Sequence, residues 1–510
     1  MSQTFAPLLA ALQAAAARPH TAFYTPGHKL GQGAPADFAT AVGAAALRHD
    51  LPELPDIGGL FEADGPVQAA QDLAAEAFGA GRTWFLANGS TCGIEAAILA
   101  TCNPGDKIVL PRNAHQSAIA GLILSGAQPI FVQPELDAEL DIAHVVSPAT
   151  VAAALAEHPD AKAVLAISPT YYGVCGDVAT LADLAHQFGI PLIVDEAHGP
   201  HFAFHPDLPT SALAAGADIV VQSTHKVLAA MTQAAMLHVS HAAIDRKTVD
   251  CDRINQALQW VQSTSPNYLL LASLDAARQQ MALEGEALMA QTLELSWQAR
   301  RRIAQIPGLS VLDVATSQGG TRDPSPGFQA LDPTRLTVTV SGLGLSGFEA
   351  DTILSELGAI VELPSHRHVT TIISLGNTAA DIDRFVAALT ILAEQHAVSR
   401  EVTDVPRADL LLPPLPLQSA LSPRQAFSST VEVRSRQQAI GRISAELVCP
   451  YPPGIPILLP GEVISAAALD YLEAVLQLGG EISGCADPSL QTLRVVCEGA
   501  SGLTTNKTTN

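Results

Sequence analysis

No Cys-x-x-Cys pair occurs among the seven cysteines, at 92, 102, 175, 251, 449, 485 and 497. Scattered single thiols argue against a disulfide framework and for reduced side chains in a cytoplasmic protein. Cys92 and Cys175 flank segments singled out below and read as small apolar packing residues. Basic residues are scarce as well: 27 Lys and Arg stand against 50 Asp and Glu, a net charge of −23. That excludes the basic face a nucleic-acid partner requires, and it suits a cationic small molecule. Long apolar runs are missing too, because Gly, Pro, Ser or a charge interrupts each one before it reaches bilayer length, so no membrane span is expected. The first 20 residues have no basic n-region, and Arg18 is their only arginine, which argues against a signal or transit peptide. Their alanine-rich pattern from Phe5 reads as a helix. With 15% charged and 48% apolar residues over 510 positions, the chain has the composition of a packed globular protein of two or three domains.

Against that background, several apolar runs end in chemistry. Asp218-Ile219-Val220-Val221-Gln222 reads as a buried strand that delivers Ser223-Thr224-His225-Lys226 at its carboxyl end. Upstream, Ile190-Pro191-Leu192-Ile193-Val194 ends in Asp195-Glu196-Ala197-His198-Gly199. Open α/β sheets bind their ligands at such strand ends. A lysine and an aspartate on neighbouring strand ends are what pyridoxal 5'-phosphate asks for. The amine takes the cofactor aldehyde, and the carboxylate keeps the pyridine nitrogen protonated so that the ring withdraws electrons.

Other strand ends add to this set. Thr83 to Ala87 runs into Asn88-Gly89-Ser90-Thr91-Cys92-Gly93 and a helix from Ile94. Free backbone N–H groups and hydroxyls there make an anion cradle, which assigns Gly89, Ser90 and Thr91 to the cofactor phosphate. The bland alternative is an ordinary Ser/Thr cap. Lys107 to Leu110 leads to Pro111-Arg112-Asn113-Ala114-His115, and Ala163 to Ile167 leads to Ser168-Pro169-Thr170-Tyr171-Tyr172-Gly173. His198 reads as facing the lysine-bound cofactor, where it orients the substrate carboxylate or supplies a proton. His-x-x-His at 198 and 201 beside Asp195 invites a metal reading, but the spacing is unlike a zincin motif and a metal would pre-empt Asp195; no metal is expected. Gly342-Leu343-Gly344-Leu345-Ser346-Gly347 is a literal GxGxxG with Glu362 downstream. No complete dinucleotide domain surrounds it, so it reads as a strand-to-helix turn.

Ser-Thr-His-Lys at 223–226 and Asp-Glu-Ala-His-Gly at 195–199 are joined by Thr-Pro-Gly-His-Lys at 25–29, Ser-Pro-x-Tyr-x-Leu at 265–270 and Ser-Leu-Asp-x-Ala-Arg at 273–278. With Tyr-Pro-Pro-Gly-Ile-Pro at 451–456 and Pro-Gly-Glu at 460–462, these blocks resemble the Orn/Lys/Arg decarboxylase family over nearly the whole chain. The resemblance implies an α/β architecture. An aspartate-aminotransferase-like, fold-type-I large domain with a mostly parallel sheet (21–305) follows the N-terminal helix (1–20). A small α/β domain (306–400), a Pro/Leu-rich linker (401–424), a C-terminal α+β decarboxylase domain (425–498) and a disordered tail (499–510) complete the chain.

It also implies that His115 stacks on the pyridine ring, and that Ser223 and His225 join Ser90 and Thr91 at the phosphate. Thr264 would reach the site of a second subunit, in a homodimer or higher homo-oligomer with a shared active site. The short N-terminus leaves out the wing domain of the family's large inducible members. The implied activity is decarboxylation of lysine, arginine or ornithine to a polyamine-pathway amine. Glu462, or acids of the loop 49–66, would meet the distal cation. Two other readings compete: an aminotransferase or carbon–sulfur lyase with an arginine clamp drawn from Arg335, Arg367 or Arg384, and a non-catalytic relative.

Overall fold

The computed structural model describes residues 2–137, 139–314, 327–396, 418–451 and 455–497. Most of the expected linker, residues 452–454 and the expected disordered tail lie outside the described residues.

A seven-stranded sheet organises the first part of the chain, in the order Arg82–Leu86, Ala235–Val239, Ile219–Gln222, Leu192–Asp195, Ala163–Ile167, Lys107–Pro111, Gln128–Val132. The last five pair in parallel, and Ala235–Val239 runs antiparallel to both its neighbours. The central strands are apolar throughout because helices cover both faces, as parallel sheets require. Register sets Asp195 opposite Ile167 on one side and Val221 on the other. The side chains that follow Ile167, Asp195 and Gln222 therefore emerge at one edge.

Two boundaries differ from the sequence reading. The helix after the first strand begins at Gly89, not Ile94, and runs to Thr101. Gly89 sits at φ 74°, a conformation that lets the strand turn directly into the helix. A helix at Pro423–Phe427, capped by Ser422 and Gln425, starts inside the stretch expected to be linker.

The 36-residue helix Tyr268–Ile303 carries the chain away from the large sheet. Asp275 and Arg278, fully buried on it, form an ion pair. Asp275 accepts from the Leu8 N–H at 2.9 Å and the Leu9 N–H at 3.3 Å, capping a helix, Pro7–Ala17, whose own N-cap Ala6 has no side chain to do so. Arg278 donates to the carbonyls of Gln3 and Phe5. The Ser-Leu-Asp-x-Ala-Arg block thus fastens the N-terminal helix of its own chain.

Beyond that helix, a four-stranded antiparallel sheet (Ser310–Val311, Arg335–Thr339, His368–Ile372, Leu363–Pro364) packs against Gly347–Glu356 and Ala379–His396. The GxGxxG segment is a strand-to-helix turn here. Gly344 turns at φ 76°, and Ser346 with Glu349 closes a capping box on the following helix. A last apolar cluster unites Ala466–Gln477 with residues of the ribbons Val431–Ser435/Thr492–Val496 and Cys449–Tyr451/Glu481–Ser483. Among the described residues, no helix is long and apolar enough to cross a membrane.

Candidate active site

Five strand ends and one distant segment enclose a cavity. Ser90, Asn113, His115, Thr170, Tyr171, Asp195, His198 and Lys226 line it, and Ile455 closes it from the C-terminal part of the chain. Lys226 Nζ lies 3.0 Å from His198 Nε2. The Tyr171 ring packs on both partners, its centroid 5.9 Å from Nζ and 4.8 Å from the imidazole. Burial lowers the proton affinity of Lys226. Asp195 and Glu362 act against that effect, and Arg335 adds to it. Burial, reinforced by Lys226 and Arg335, holds His198 well below the ordinary histidine range. The imidazole is therefore neutral and accepts at Nε2 from the lysine ammonium.

His115 is lowered by burial as well, with Asp195 raising it and Lys226 lowering it. Its Nδ1 accepts from the Ser117 N–H at 3.2 Å, capping the helix Gln116–Ser125. That bond fixes the ring plane at the cavity wall. Asp195 accepts from the Ala197 N–H at 3.1 Å, which orients its carboxylate at the strand end.

Two of the residues expected at the phosphate meet in one contact. Ser223 Oγ donates to Ser90 Oγ at 2.6 Å, beside the N-terminus of the helix that Gly89 and Thr91 begin. His225 adjoins it, half-buried, its N–H bonded to the Ala234 carbonyl. Buried polar atoms of the site are left over: among the described residues, His198 Nδ1 and Asn113 Oδ1 find no hydrogen-bond partner. Each such group costs about 1–3 kcal/mol when left unmet, so a polar guest is favoured here.

Two expected substrate contacts do not belong to this wall. Glu462 is buried away from the cavity, pairing with Arg112 at 3.0 Å and accepting from the Leu459 N–H at 2.9 Å. Both bonds use Oε2, so the carboxylate expected at the distal cation is engaged by Arg112 and the Leu459 N–H and is not part of the cavity lining. Thr264 is exposed and off the cavity of its own chain. The loop 49–66 also stays off the wall; the Tyr268 hydroxyl ties it down by donating to the Gly58 carbonyl at 2.6 Å.

Other residues stand where sequence reasoning had not put them. Of the three candidate clamp arginines, only Arg335 is beside the site. It is buried, 3.9 Å from Asp332, which in turn pairs with His201 at 3.2 Å. His201 is thus engaged away from Asp195. Arg367 donates to the Glu139 carbonyl, and Arg384 pairs with Asp381 on the surface. Glu362, exposed at the edge of the small sheet, is close enough to act on the charges of Lys226 and Arg335. Its only sequence signal was its distance from the GxGxxG turn.

A lysine amine held against an imidazole at the carboxyl end of a mostly parallel sheet, with an aspartate one strand away, defines a fold-type-I enzyme. The constitutive lysine decarboxylase of Escherichia coli superimposes with a TM-score of 0.82 over 97% of this chain and 82% of that one, at 20% identity, a likeness of fold. The chain belongs to the Orn/Lys/Arg decarboxylase family: the family's major domain matches residues 6–381 and its C-terminal domain residues 414–491. The arginine decarboxylase of Bacillus subtilis is 41% identical over 98% of this chain and 99% of its own length. Lysine decarboxylase LdcA of Pseudomonas aeruginosa is 27% identical over 92% of this chain and 75% of its own length.

Proposed function

We propose that the chain decarboxylates a basic L-amino acid, arginine by preference, with pyridoxal 5'-phosphate held on Lys226, in the cytoplasm. The observation that carries this reading is the contact of Lys226 Nζ with a neutral His198 at 3.0 Å, inside a cavity shared with Asp195 and His115. The arginine decarboxylase name of a relative matched over 99% of its length supports the substrate.

The residues fit the cofactor. Ser90, Ser223 and the helix N-terminus at Gly89 and Thr91 would hold its phosphate, with His225 alongside. His115 would lie flat against the ring, and Asp195 would meet its nitrogen. When bound, pyridoxal 5'-phosphate supplies an electron sink for the pair left when the bond from Cα to the carboxylate breaks.

The chain's own groups manage charge and protons around that event. Burial and Arg335 lower the proton affinity of Lys226, which favours the neutral amine as nucleophile, while the neutral His198 Nε2 at 3.0 Å orients Nζ. Tyr171 and Ile455 exclude water from the reacting face. The proton that replaces carbon dioxide on Cα comes from His198 or from Lys226 Nζ. Glu362, whose charge acts on Lys226, would meet the distal cation, since a guanidinium offers a carboxylate two parallel N–H donors.

A homodimer or higher homo-oligomer completes the site, with Thr264 of the partner subunit reaching the phosphate. Phe23 and Trp260, 93% and 72% exposed in the single chain, support a covered surface. The test is amine formation. Purified protein with pyridoxal 5'-phosphate and a mixture of arginine, lysine and ornithine should yield agmatine as the main product by mass spectrometry, and Lys226→Ala none. Cofactor uptake without any amine would sink the reading.

A further inference from the structure

Arg112 follows the strand Lys107–Pro111 and immediately precedes Asn113, which with His115 lines the cavity. Its guanidinium points away from that cavity, into the C-terminal part of the chain. Nη1 donates to the Pro456 carbonyl at 3.0 Å, and Nη2 to the Ile457 carbonyl at 2.9 Å and Glu462 Oε2 at 3.0 Å. Glu462 Oε2 also accepts from the Leu459 N–H at 2.9 Å, closing the segment 459–462 on itself. One cation thus grips three points within seven residues. The residue just before the first of them is Ile455, the side chain that walls the cavity from this side. Leu459 packs into the large sheet's own apolar cluster, while Leu458 packs into the C-terminal one.

The energetics point to placement over stability. Both side chains of the pair are only 2% exposed, yet Arg112 Nε and Glu462 Oε1 find no partner among the described residues. A buried ion pair with unmet hydrogen bonds recovers little of its desolvation cost, and its best-attested use is to fix a register. We propose that Arg112 and Glu462 are a positioning pair that sets Ile455 as a rigid wall of the catalytic cavity, making the C-terminal segment a determinant of which amino acid fits. The inference rests on the function proposed above for its substrates, though not for the wall itself.

The test compares the full-length wild type with Ile455→Ala, Glu462→Ala, Glu462→Gln and the double variant Ile455→Ala/Glu462→Ala. Two quantities are read: the rate of pyridoxal 5'-phosphate release, followed by its visible absorbance, and the ratio of kcat/KM for arginine over ornithine. Ile455→Ala and Glu462→Ala should each speed release and shift the ratio at least fivefold in the same direction. The double variant should match Glu462→Ala alone, since a displaced wall has no side chain left to lose. Glu462→Gln keeps the oxygen that meets Arg112 and should stay within twofold of wild type.

Release and ratio unchanged in Ile455→Ala, or effects that multiply in the double variant, overturn the proposal. Should Glu462→Ala fail to fold, Ile455→Ala alone decides, because it leaves the ion pair intact. Wild-type protein that binds the cofactor but forms no amine refutes the activity only, and the release rates then judge the wall. Protein that takes up no cofactor overturns both.

Discussion

Replacing Glu362 by glutamine should cost arginine more than it costs citrulline, its uncharged isostere. Glu362 is one of two carboxylates that raise the proton affinity of Lys226 against the lowering effect of burial, so its charge reaches the reacting end of the cavity. A charge-assisted hydrogen bond to a guanidinium contributes about 1.5–3 kcal/mol, and the exposure of Glu362 in the single chain sets the low end of that range. The preference for arginine over citrulline should therefore fall by about tenfold, read as the ratio of their dissociation constants in wild type and Glu362→Gln. A second consequence needs no substrate. With Glu362 neutral, Lys226 keeps only Asp195 to support its proton and must lose that proton at lower pH. The pH dependence of Lys226 acylation in cofactor-free protein measures this directly. Equal losses for arginine and citrulline, or an acylation midpoint that does not move downward, would refute the placement of Glu362 at the distal cation.

Asp275→Ala removes the side-chain cap of Pro7–Ala17 and leaves Arg278 buried without its carboxylate; the expected loss is about 3–5 kcal/mol, read from denaturant midpoints, with hydrogen exchange rising first at residues 8–17. Burial pushes the Glu196 carboxyl up to about 8, against the lowering effect of bonds from the Gln222 amide and the Ala212 N–H. Its folded pKa thus exceeds the unfolded value of about 4.3, so the folded state keeps a proton that the unfolded chain has released, and stability falls as pH rises between those values by at most about 5 kcal/mol. Glu196→Gln should flatten that slope when unfolding midpoints at pH 5 and pH 8.5 are compared. The neighbouring chain Gln222–His238–Thr83 can accommodate the amide by reversing all its hydrogen bonds.

What was legible in the sequence and what was not follow one physical division. Asp195 ends a strand, and Lys226, His115 and Ser90 each lie four residues past one, where the apolar run is unmistakable because a strand buried on both faces must be apolar throughout. Local pattern therefore named them, and the sheet order only had to bring the strand ends together. Glu462 was harder to read for the opposite reason. Its environment is set by Arg112, 350 positions away, and nothing in Pro-Gly-Glu distinguishes a carboxylate that meets a substrate from one that meets a buried guanidinium. The same distance problem hid the sorting of Arg335 from Arg367 and Arg384, which only the docking of the small antiparallel sheet beside the cavity decides. Ile455 was invisible for a third reason: an aliphatic side chain carries no chemistry to notice, although shape is what a cavity uses to choose among amino acids that differ by a methylene or the form of a cation. Residues that react can be recognised by type, whereas those that discriminate are recognised by what they touch. In this chain, that touch is arranged by an ion pair whose two ends come from opposite ends of the sequence.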